Sequence, residues 1–252
     1  MTTLLNFYER ILLLSEDLLS KVHHVPPPAD PRRYFKAMLL YFALRGNQCM
    51  KAIALLVRSG YTDQAMALAR GIVEMGITTE YASKDPEKRG QRYMEFDFVL
   101  RKKWLEKSKR YKDFMPELLA GATPEAVVEI EQGFKEVEPT FQKGRRDSWS
   151  GESIADMARA CDAEWFYDIV YSLLCESSHN AVRKMKDYFE EVPDKGLAMK
   201  SGPDAQYHDA ALATACSIFL MILSHLDEEW KLGKGAEIEK IRVEMNQVGK
   251  TS

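Results

Sequence analysis

Apolar residues recur at intervals of three and four along most of this chain, and no stretch sustains a period of two. That spacing belongs to amphipathic helices, each burying one face. Leu4, Phe7, Ile11, Leu14 and Leu18 mark the inner stripe of a first helix predicted over 2–24. Val25-Pro26-Pro27-Pro28 ends it, because proline lacks the donor and crowds the preceding turn. Asp30-Pro31 predicts a restart, Asp as cap and Pro as first helical residue, with Tyr34, Met38, Tyr41, Phe42, Ile53 and Leu56 following to about residue 59. Gly60 is placed to stop that helix.

Thr62-Asp63 opens a third helix through about residue 83, and Asp85-Pro86 a fourth to about residue 112. The fourth helix is expected to turn Tyr93, Phe96, Leu100 and Trp104 inward. The segment 115–139 reads as short helices broken by Gly121, Pro124 and Pro139, and 140–152 as irregular. A short helix over 153–160 precedes a long one over 163–191, then a loop over 192–202. A strongly apolar helix over 204–232 and a polar one over 236–248 complete the pattern. The prediction is an all-α bundle of six to nine helices with mostly antiparallel neighbours, one domain over 1–252.

Composition narrows the function classes. Net charge is −3, which excludes a globally basic nucleic-acid binder. Cys49, Cys161, Cys175 and Cys216 form no CxxC pair and read as reduced cytoplasmic thiols. Glu9 and Arg10 interrupt the first apolar run, so no secretory signal is expected. The most apolar stretch, 210–223, is shorter than the roughly 20 residues a bilayer span needs, so no membrane is implied. One region is locally basic: residues 87–112 hold ten Lys/Arg against four acids. Interleaved aromatics there could stack on single-stranded bases. Glu117, Glu125, Glu129, Glu131, Glu136 and Glu138 follow, however, and are expected to lie against that basic face.

Candidate chemistry lies on two helices whose stripes are otherwise apolar. Arg70 and Glu74 are four apart among Ala65, Ala67, Leu68, Ala69, Gly71, Ile72 and Val73, with Gly71 and the alanines expected to admit another backbone closely. Farther on, Glu176, His179 and Arg183 share one stripe, and Tyr167, Tyr171, Leu174 and Ser178 the next. His179 is the candidate acid or base, since imidazole titrates near neutrality. Glu176-x-x-His179 is half of a di-iron ligand set, but no other histidine has Glu three residues before it. No Gly-rich phosphate loop, nucleophile elbow or HExxH helix occurs, so no cofactor or metal is implied. Helical ribonucleases of the HEPN superfamily carry Arg, four to six residues, then His; this chain has His179 before Arg183.

Leu68-Ala69-Arg70-Gly71-Ile72-Val73-Glu74, followed by Trp149-Ser150-Gly151, Tyr167, Tyr171, Ser178 and His179, resembles a bacterial family known as domain of unknown function 5677. The resemblance spans about 30–192, with Asn180 where that family often has proline. It implies an all-helical fold, no established activity, and convergence of Arg70, Glu74, Tyr171 and His179. Three functions are then open. One is a binding or sensing protein whose ligand-binding residues are Arg70, Glu74, Tyr167, Tyr171, Glu176, His179 and Arg183, taking a small anionic or polar ligand. Another is an RNA-processing or defence-type nuclease, with His179 as acid/base and Arg70 or Arg183 stabilising the phosphorane. The third is an interaction module, a homodimer through its first and last helices.

Overall fold

A computed structural model describes residues 2–22, 24–111, 113, 123–142, 148–178, 182–193, 196–200, 202 and 208–248. Four long helices, α1 (Thr2–Lys21), α2 (Arg33–Arg58), α3 (Thr62–Ser83) and α4 (Pro86–Arg110), follow the predicted order closely. The inner stripe of α1 is buried from Phe7 to Leu18. Asp30 does not cap α2 directly. Its carboxylate accepts from the Arg32 amide at 2.8 Å and pairs with Lys36 at 2.8 Å, so it closes the turn before the helix, which begins at Arg33. At the other end Gly60 takes a φ of +77°, and the Tyr61 amide bonds back to the Leu56 carbonyl.

Asp85 accepts from the Lys88 amide and caps α4. The inward face of α4 is Gly90, Phe96, Val99 and Leu105; Leu100 and Trp104 are instead exposed. A three–four alternation can step onto either of two adjacent stripes, and the neighbouring helices select the one carrying Val99. The helix α5 (Pro124–Phe141) is continuous, starting from Thr123, whose hydroxyl accepts from the Ala126 amide. Pro139 does not break it, because only two residues follow and few intrahelical bonds are lost. Glu129 and Glu131 on α5 reach Arg101, Lys102 and Lys109 on α4, as the charge pattern anticipates.

Beyond α6 (Ile154–Arg159) the chain departs from expectation. The predicted long helix over 163–191 is a series of short elements. These are α7 (Glu164–Phe166), a π turn (Tyr167–Tyr171), α8 (Ser172–Ser178), α9 (Val182–Met185) and a 3₁₀ turn (Lys186–Tyr188). The segment then becomes a strand. β1 (Phe189–Val192), mostly where helix was expected, pairs antiparallel with β2 (Gly196–Met199), where a loop was expected, Glu190 opposite Ala198. The helices α10 (His208–Trp230) and α11 (Gly235–Val248) follow. The fold is an all-α bundle, with one small hairpin among the described residues.

The core forms where α10 packs against α1, α2 and α3. Phe35, Met38, Met50, Ile53, Ile72 and Phe219 are fully buried there. Length does not distinguish α10 from a bilayer span, since its 23 residues suffice for a crossing. Its packing places it in the core: Ala211, Leu212, Ala215, Cys216, Phe219, Leu220, Leu223 and Leu226 are all buried against neighbouring helices. The apolar stripe of α1 is used inside the chain too, and Arg10 on α1 pairs with Glu244 on α11.

Candidate functional site

Arg70 and Glu74 lie one turn apart on the side of α3 that meets α8. Tyr171, the last residue of the π turn, is buried against them. Its hydroxyl accepts from Arg70 Nε at 3.3 Å and Nη2 at 3.1 Å, and donates to Glu74 Oε1 at 2.6 Å. Arg70 Nη2 also pairs with Glu74 Oε1 at 3.0 Å. Three side chains from positions about a hundred residues apart thus close a polar triangle.

The π turn supplies the geometry. It has Tyr167 and Tyr171 as its first and last residues. Tyr167 stacks on Tyr171, with ring centres 4.8 Å apart and planes within 20°. Tyr167 is half-buried and forms the flank of the triangle. The side chains of Arg70 and Glu74 remain 23% and 37% exposed, so the charged edge reaches solvent above a buried phenol.

Burial, then Glu74, push the Tyr171 pKa far above the usual phenol range, with Arg70 opposing. The phenol therefore stays neutral and acts as a fixed donor. Burial works against the Arg70 charge, but Tyr171 and Glu74 outweigh it and hold the guanidinium protonated. The cluster can present a fixed cation beside a carboxylate. It does not offer a phenol that titrates near neutrality.

Other predicted residues stand differently. Glu176 is half-buried on α8, and Arg183 lies within α9. His179 falls outside the described residues. Gly71 admits no close backbone: a Cβ there would meet nothing within 4 Å. Trp149 is buried away from the triangle, on the far part of α3. It sits edge-on to Tyr81 and Tyr93, at 5.9 and 5.3 Å, and its carbonyl accepts from Arg92 Nε at 2.7 Å. Seven residues of helix separate Tyr81 from Glu74, about 10 Å along the axis. The Trp-Ser-Gly motif thus anchors the segment before α6 to α3 and α4.

Three polar contacts, centred on Asp63 and on His225, have no counterpart in the sequence reading. Asp63 accepts from Ser177 Oγ at 2.8 Å and from the Tyr188 hydroxyl at 3.1 Å, tying the start of α3 to α8 and the 3₁₀ turn. His225 on α10 meets Glu80 on α3 at 2.9 Å. Each joins partners more than a hundred residues apart, and local spacing carries no trace of such a pair. A polar residue on an apolar stripe, as at His225, is the one signal available.

Comparison with known proteins gives one match. A family model described as "Family of unknown function (DUF5677)" covers residues 36–196. The chain belongs to this family. The DUF5677 region runs from the first turn of α2 through β1, and takes in Arg70, Glu74, Trp149 and Tyr171. No curated protein and no solved structure matches the chain.

Proposed function

We propose that this DUF5677 protein binds or senses a small anionic or polar molecule at the Arg70–Glu74–Tyr171 cluster. Tyr167, Glu176, His179 and Arg183 complete the binding surface in this reading. One observation carries it: a guanidinium held by a buried phenol and a carboxylate, yet still reaching solvent. An ion pair at a helix interface contributes little to stability compared with well-packed apolar residues, so stability alone does not account for it. Arginine in a fixed orientation suits carboxylate or phosphate, which it meets with two parallel bonds. The π turn beneath it adds support, since such turns concentrate at functional sites.

Calorimetric titration with inorganic phosphate, mononucleotides and dicarboxylates tests the proposal. Wild-type protein binds at least one of these, and Arg70→Gln weakens that binding by about tenfold or more, the equivalent of one charge-assisted hydrogen bond. Equal affinity in Arg70→Gln, or no binding to any of the three classes, ends this reading.

A further inference from the structure

The β1–β2 hairpin leaves one strand edge suited to self-pairing. Two strands alone are marginal in water, and their outer edges present unpaired backbone groups. The Lys200 amide bonds to the Tyr188 carbonyl at 2.9 Å, which fixes the phase of the ladder. Residues 190 and 198 then bond to each other, while the amides and carbonyls of 189 and 191 on β1, and of 197 and 199 on β2, face outward. The two edges differ in charge. β1 reads Phe-Glu-Glu-Val and β2 reads Gly-Leu-Ala-Met. Pairing β1 with its own copy would set Glu190 against Glu190, a destabilising like-charge contact. β2 carries no charge at all. Leu197 and Met199 on it are also 67% and 79% exposed, more apolar surface than an edge strand ordinarily shows.

We infer that β2 is the interface for a second copy of this chain, paired antiparallel about a two-fold axis at Ala198. In that register Leu197 of each copy faces Met199 of the other. Each such pair exchanges two backbone hydrogen bonds, and the two hairpins become one four-stranded sheet. Leu197 and Met199 of both copies gather on a single face, as cross-strand apolar pairs do. Glu190 and Glu191 end on the outer edges, away from the seam, where their charges protect the new sheet against further growth. The interface is isologous, as two-fold dimers require. It is independent of any ligand at Arg70.

Sedimentation velocity over a concentration series tests this. Wild-type protein shows a reversible monomer–dimer equilibrium. Met199→Pro removes an outward amide while leaving the hairpin's own bonds intact, a position where edge strands tolerate proline. It raises the dimer dissociation constant by about tenfold or more, with unchanged circular dichroism. Ala198→Cys, which brings two thiols together across the axis, forms a disulfide-linked dimer on oxidation; Glu190→Cys does not. A strict monomer at every concentration overturns the inference. So does a Met199→Pro variant that associates like wild type, or an Ala198→Cys variant that stays monomeric on oxidation.

Discussion

The phenol of Tyr171 is the residue on which the candidate site turns. It takes two donors from Arg70 and gives one to Glu74, so neither charged group faces an apolar wall unpaired. Removing it leaves both without that partner. Tyr171→Phe is expected to lower unfolding free energy by about 1.5–3 kcal/mol, the range for hydrogen bonds to charged groups, in urea denaturation. A loss under about half a kcal/mol would show that water replaces the hydroxyl freely. Glu80 and His225 form a second pair with a definite pH signature. Burial disfavours the His225 cation, but Glu80 outweighs it, helped by Glu228 and Glu229, and the histidine pKa rises above its ordinary 6.5. Glu80 falls below its ordinary 4.5 because of His225, against its own burial. The histidine's contribution is full below 6.5 and fades as pH rises through the raised value. The glutamate's is full above 4.5 and fades as pH falls. Together they stabilise most between those values. The unfolding free energy of wild type should fall as pH climbs from 6 toward 9 more than that of His225→Gln, and parallel curves would refute the coupling.

At the scale of elements, close approaches between helices lie where side chains are absent, and two glycines separate packing from propensity. Gly90 on α4 lies against the α2 backbone: a Cβ there would come within 2.5 Å of the Phe35 nitrogen. Backbone cannot yield as a flexible side chain can. Gly90→Ala is therefore expected to destabilise by about 1–3 kcal/mol even though alanine favours helix. Gly71 is the converse, with open space about its Cα. Gly71→Ala should stabilise by about 0.5–1 kcal/mol through helix propensity alone. Thermal melts of the two variants must shift in opposite directions; a shared sign would mean the helix contacts are misplaced. Elements also mark where local reading failed. The residues 163–191 hold apolar positions at helical spacing, but a π turn, a 3₁₀ turn and a strand divide them. The energy differences between these local states are small, and contacts with α3 decide among them. Asp63 accepting from Ser177 and Tyr188 is one such contact.

Across the whole molecule, α10 joins α1, α2 and α3 into one apolar interior. Phe219 sits at its centre, over Gly46, where any Cβ would collide with the ring. Phe219→Ala should cost about 3–5 kcal/mol, as large truncations in close-packed cores do, measurable by urea denaturation. A cost near 1 kcal/mol would mean that the neighbours collapse into the space. Burial among these side chains also pushes the Cys216 thiol up to about 12.

The chain's own order of residues was enough to establish most of the helices, many of their starts and stops, and the apolar stripe of α1, though not that of α4, where Leu100 and Trp104 are exposed. Those properties depend on neighbours three and four apart and on caps such as Asp85 and Gly60, all of them local. It also singled out Arg70, Glu74 and Tyr171, because polar groups on apolar stripes are conspicuous. Tertiary structure alone decided that these three touch, that Gly71 faces open space while Gly90 faces backbone, that Glu80 finds His225, and that Phe189–Val192 pairs with Gly196–Met199. Each depends on groups distant along the chain, and the free energy of such contacts is set by packing and shared burial, which no local pattern encodes.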